Sequence, residues 1–141
     1  MDTPRDLGLL WLRVLSGAGM AWHGYGKVFG KDLEGLTEAI AAWGWPQPHA
    51  FAWAAALSEF AGGLLLVLGF KTRLAALFVL STMAVAAFQQ LAAAPLAAKE
   101  LALAYGTVAG TLLLTGAGSI SFDRWLGGKA SKTKAPRPRN T

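Results

Sequence analysis

From Leu74 to Ala98 the chain carries no charged side chain, and from Leu101 to Phe122 the same is true again. A bilayer core about 30 Å thick is crossed by about 20 residues of helix, so each span can hold a transmembrane helix. Only 15% of the residues are charged and the mean hydropathy is +0.41, where a soluble domain carries about a quarter charged. That is too little charge to cover a water-facing surface. The sequence therefore predicts one all-α integral membrane domain. The net charge of +5 does not point to nucleic acid, because the positive charges do not gather on a soluble face.

Four segments are predicted to span, at about 7–26, 50–69, 74–91 and 100–118, forming a four-helix bundle over residues 1–126. The first is interrupted by Arg13 and followed by no clear cleavage site, so it is read as a retained helix rather than a signal peptide. "FKTR" is a tight link that makes the second and third helices an antiparallel hairpin. Between the first and second, Leu33, Leu36, Ile40 and Trp43 recur at three- and four-residue steps. That stripe predicts a short amphipathic helix in the membrane interface, ended by Pro46 and Pro48.

Charge placement sets the expected orientation. With the N-terminus cytoplasmic, nine Lys and Arg side chains fall inside and three, Lys27, Lys31 and Lys99, outside. Both termini are thus expected in the cytoplasm. Trp11 and Trp125 would mark the inner interface, with Trp22, Trp43, Trp45 and Trp53 at the outer one. The basic stretch 127–141 has no apolar residue larger than alanine and reads as a disordered cytoplasmic tail.

Polar residues inside such helices are expensive and seek partners. An Arg or Asp at mid-membrane costs about 2.5–3.5 kcal/mol on insertion scales. Glu59 lies at the centre of "LSEFAGG", about 15 Å from the inner end of its helix, and Arg13 about 9 Å from the inner end of the first. The difference is within side-chain reach, so an Arg13–Glu59 ion pair is expected in the bundle core. It fits two roles: a tether fixing how the helices dock, with Gly62 and Gly63 allowing close approach, or a chemical centre. Arg13, Ser16, Met20, His23 and Lys27 form one stripe down the first helix, and Glu100 enters the membrane at the level where His23 and Lys27 leave it. His23, Lys27 and Glu100 are therefore expected to form a second, outer cluster, unless Lys27 and Glu100 simply snorkel to water.

Other chemistries lack their residues. The chain has no cysteine, which removes disulfides, thiolate metal sites and thiol redox chemistry. His23 and His49 have neither the spacing nor the carboxylate company of a metal or haem site. Ser16, Ser58 and Ser81 show no order suited to hydrolysis; hydroxyls in apolar helices usually bond their own backbone. "GYGKVFG" lacks the strand before it and the Ser or Thr after its lysine that a phosphate loop needs.

Taken together, "LRVLSGAGMAWHGYGKVFG", "WGWPQP", "LSEFAGGLLLVLGFKTRLAAL" and "KELALAYGTVAGTLLLTGAGSISFDRWL" resemble the DoxX family of small bacterial four-helix membrane proteins, from about Leu7 to Leu126. The residues matching the family pattern are Arg13, His23, Lys27, Glu59, Glu100 and Asp123; "GWP" departs from it. The resemblance implies a multi-pass protein of the cytoplasmic (inner) membrane. It also implies a link to quinone-coupled oxidoreduction, since the family name comes from a membrane subunit associated with thiosulfate:quinone oxidoreduction. Two functions fit. One is a membrane subunit that offers a quinone pocket to a redox partner, with Arg13 and Glu59 in or beside it. The other is a non-catalytic assembly or anchoring protein, or a small transporter, whose buried charges set helix register or line a path. Either could act in the lipid bilayer as a homo-oligomer.

Overall fold

A computed structural model describes residues 3–90, 92 and 94–133. Six α-helices follow in order: α1 Thr3–Phe29, α2 Asp32–Ala42, α3 Pro48–Leu68, α4 Thr72–Val85, α5 Leu96–Thr115 and α6 Phe122–Thr133. A π-helical turn, Ala86–Gln90, continues α4. No strand occurs among the described residues.

The helix ends obey local chemistry. Pro48 opens α3, where its missing N–H costs nothing. Gly69, at φ 65°, closes α3 in the left-handed conformation, with Gly69 N–H donating to Leu66 O and Phe70 N–H to Leu65 O. Helix α6 reaches Thr133, so the first part of the expected tail, residues 127–133, is helical. Asp123 in its first turn favours the start. Residues 134–141 lie outside the described residues.

Helix α1 packs along α3, α3 against α4, α4 against α5, and α5 back against α1. Their shared core is built from Met20, Leu66, Ala75, Ala76, Val79, Met83, Ala109 and Leu112. Small side chains let backbones approach closely, nowhere more than at the α1–α3 seam. A Cβ on Gly63 would lie 2.5 Å from Ala21 N, and one on Gly24 would run into the Phe60 backbone. These contacts set the register: Gly17 faces Val67, Ala21 faces Gly63 and Gly24 faces Phe60.

The amphipathic helix forms as expected. Its stripe of Leu36 and Ile40, flanked by Leu33 and Trp43, packs onto Ala52 and Ala55 of α3. Around the rest of the molecule many of the outward side chains are large and apolar, including Trp11, Leu15, Trp22, Leu57, Leu68, Phe78, Phe88 and Leu114. Arg13 and Glu59, by contrast, are buried. Polar groups inside and apolar groups outside is the distribution a lipid solvent demands.

Two helices are long and apolar enough to cross a membrane: Pro48–Leu68, mean hydropathy 1.8, and Thr72–Gln89, mean hydropathy 1.5. The first and fourth expected spans form as helices, but α1 holds Arg13, His23 and Lys27, and α5 holds Lys99 and Glu100. Those groups keep both below the same hydropathy.

Candidate functional site

Glu59 sits midway along α3, and its side chain is 2% exposed. Lys27, in the last turn of α1, brings its Nζ to 2.6 Å from Oε1 and 2.7 Å from Oε2. The ammonium thus bridges both carboxylate oxygens, the short geometry of a charge-assisted bond. The close passage of Gly24 against Phe60 brings the two backbones near enough for that bridge.

The expected Arg13–Glu59 pair does not form. In the α1–α3 register the Glu59 and Phe60 backbone lies against Gly24, eleven residues from Arg13, which is about 16 Å along the axis at 1.5 Å per residue. Matching depths from the helix ends failed because α1 begins at Thr3 and slides past α3 until the glycines meet. Arg13 instead donates to Leu66 O at 3.5 Å, Val67 O at 3.1 Å and, most closely, Ile120 O. The last carbonyls of a helix lack intrahelical partners and carry its negative dipole end. A buried guanidinium is suited to them.

The expected His23–Lys27–Glu100 cluster does not assemble either. Lys27 is committed to Glu59, His23 is exposed with its ring edge-on to Tyr105 at 6.0 Å, and Glu100 is exposed on α5. Neither His23 nor Lys27 pairs with Glu100 among the described residues. His49 meets Trp53, 6.4 Å away between ring centres, rather than His23.

Around the Lys27–Glu59 pair lies a cavity of about 360 Å³. Leu36, Ile40, Trp43 and Trp45 cover it from the α2 side, with Trp43 edge-on to Trp45 and Trp45 edge-on to Phe51. Ala54, Ala55 and Ser58 of α3 form one wall; Phe78, Ser81, Thr82 and Val85 of α4, with Ala86 of the π turn, form another. π turns recur at functional sites because the extra residue displaces a wall. The lining is apolar apart from the ion pair and three hydroxyl-bearing side chains. One carboxylate that can accept a proton and one ammonium that can donate a hydrogen bond thus face an otherwise apolar hollow.

The opposite end of the molecule is a clasp, and the hollow of about 440 Å³ beside it is polar, lined by Arg5, Asp6, Ser119 and Arg124 among others. Asp123 of α6 accepts from Lys71 N at 2.7 Å and Thr72 N at 2.9 Å, so it caps the start of α4 from another helix. Asp6 accepts from Ser119 N at 2.8 Å. Hydrogen bonding from Ser119 holds the Asp6 carboxyl below the ordinary aspartate range. The family-like ending Gly116–Asp123 is therefore the segment that ties α1, α3 and α4 together.

The DoxX family model matches residues 8–90, more than half of the chain. The chain belongs to the DoxX family. As a DoxX protein it has membrane character, in keeping with its two apolar helices and its outward apolar side chains. The matched segment runs from α1 to the π turn and contains Lys27, Glu59 and every residue lining the cavity. No curated protein matches the chain, and no solved structure does.

Sequence reasoning found both members of the ion pair but placed them in different clusters. It did not find the covering role of Trp43 and Trp45, read there as interface markers. The stripe Leu33–Trp43 was the available signal, since a helix that buries one face can also roof a hollow.

Proposed function

We propose that this DoxX protein is a four-helix, multi-pass protein of the bacterial cytoplasmic membrane, with α1, α3, α4 and α5 spanning and both termini cytoplasmic. In this reading it is the membrane subunit of an oxidoreductase and binds a quinone at the Lys27–Glu59 cavity. The observation that carries the proposal is a buried carboxylate and its ammonium partner on the wall of an otherwise apolar cavity of about 360 Å³. Such a site suits a flat apolar ring and polarises one polar edge of it.

Reduction of a quinone to a quinol takes up two electrons and two protons. The electrons must come from a redox partner, since the chain has no cysteine and no dedicated electron-carrier motif. Lys27 would hydrogen-bond a quinone carbonyl oxygen, drawing charge onto it as electrons arrive. Glu59, within 2.7 Å of that ammonium, would relay protons to the reduced oxygen, a role suited to a carboxylate in an apolar site.

Protein purified in detergent should yield about one quinone per chain on lipid extraction, and Glu59→Gln should lose it while still unfolding cooperatively. A well-folded wild type that carries no quinone and retains no redox partner would sink the proposal. A second reading keeps the pair as a tether: the ammonium satisfies both carboxylate oxygens and staples α1 to α3 beside Gly24. An anchoring or transport role would then need no ligand in the cavity.

A further inference from the structure

Most hydroxyls inside these helices follow one rule, and among the described residues Thr72, at the first position of α4, and Ser58 depart from it. Ser16, Thr37, Ser81, Thr82, Thr107, Thr111 and Thr115 each donate to the carbonyl four residues earlier. That is the usual fate of a hydroxyl in an apolar helix. Ser58 is half-buried, one residue before Glu59, and its hydroxyl makes no such bond among the described residues. It lies on the cavity wall. Lys27 has a donor left as well: an ammonium has three N–H groups, and two point at Glu59.

Ser58 also belongs to a second hollow of about 350 Å³ between α3 and α4. The two hollows share Ala54, Ser58 and Phe78. From Ser58 the second follows α3 to Leu65, about 10 Å at the rise of a helix, and its lining is apolar. Whereas α2 and the tryptophans line one side of the first hollow, the second is lined by α3 and α4 alone, with Leu57, Ala61 and Leu74 exposed along it.

We propose that the cavity takes a neutral amphiphile whose head bears a carbonyl-type acceptor oxygen. Ser58 and the remaining Lys27 N–H donate to that oxygen, and the ligand's hydrocarbon chain lies in the α3–α4 groove. This rests on the cavity being a ligand site and specifies what the ligand must carry. The groove's occupant is the chain of the same molecule, because its only polar wall residue, Ser58, is the one it shares with the head site. Entry is sideways from the lipid, the open side of the groove.

The test measures binding of two benzoquinones, one bearing a decyl chain and one only a methyl, to the purified protein, Ala61→Phe and Ser58→Ala. Ala61 is exposed, so phenylalanine there fills the groove without disturbing the core. Wild type should bind the decyl compound at least about tenfold more tightly, a modest return for burying several methylenes. Ala61→Phe should remove that advantage and leave the methyl compound unchanged. Ser58→Ala should weaken both alike, by about fivefold. Equal binding of the two by wild type, or a decyl advantage that survives Ala61→Phe, overturns the groove and leaves the head site standing. An unchanged Ser58→Ala overturns the hydroxyl's role. If neither compound binds, this inference falls together with the quinone reading beneath it.

Discussion

Arg13 and Lys27 are cations on the same stripe of the same helix, yet the two ends of the molecule use them in opposite ways. Arg13 is 2% exposed and spends its guanidinium on backbone carbonyls of α3 and of the segment before α6. Lys27 keeps part of its side chain accessible and meets a carboxylate beside a cavity. Backbone carbonyls cannot titrate, so Arg13 itself can only hold. A carboxylate can exchange a proton, so the Lys27 end can also react. The contrast separates clasp from candidate chemistry within one stripe of residues.

The contrast breaks most visibly at Arg13. Arg13→Met strands the carbonyls of Val67 and Ile120, leaving Leu66 O to Gly69 N–H alone, and should cost about 3–5 kcal/mol, read as a large fall in melting temperature in detergent. Arg13→Lys should recover part of it, and the quinone content of folded Arg13→Met should be normal. An unchanged melting temperature would show that the clasp carries little, while lost quinone without unfolding would tie Arg13 to the ligand site.

At the other end, Lys27→Met or Glu59→Gln alone leaves a mostly buried group without its partner and should cost about 2–3 kcal/mol. The double variant should lose less stability than either single one, because no uncompensated charge remains. Quinone should be absent from all three. If the double variant regains quinone, the pair is a tether and the ligand is held by the rest of the cavity.

The smallest effect sharpens the clasp. The Asp6 carboxyl is held low by Ser119, so the folded state prefers the charged form. Its contribution is present above the unfolded aspartate value, about 3.9, and fades as pH falls through the lower folded value. Thermal unfolding followed from about pH 6 to about pH 2, which brackets the acid titration, should show a loss that Asp6→Asn lacks. Identical pH profiles for the two would remove Asp6 from the clasp.

Much of this was legible along the chain. Apolar spans, breaking glycines and prolines, and the Leu33–Trp43 stripe locate the helices and the face of α2, because periodicity and backbone preference are local. They also single out Arg13, Lys27 and Glu59, since a charge in an apolar helix is costly wherever the helix goes. Asp123 entered only through a family resemblance. Its cap on Lys71 and Thr72 joins positions far apart in the chain, and no local pattern announces it.

Which charge meets which was decided only in three dimensions. Gly17, Gly24 and Gly63 set how far α1 slides along α3, and that slide gives Glu59 to Lys27 and leaves Arg13 the carbonyls at the end of α3. Helix register depends on where two surfaces fit most closely, a property of both helices together. The sequence thus determined that buried charges must find partners, because lipid and core solvate them poorly. The tertiary structure decided the partners, and with them which end of the molecule holds and which faces an apolar cavity.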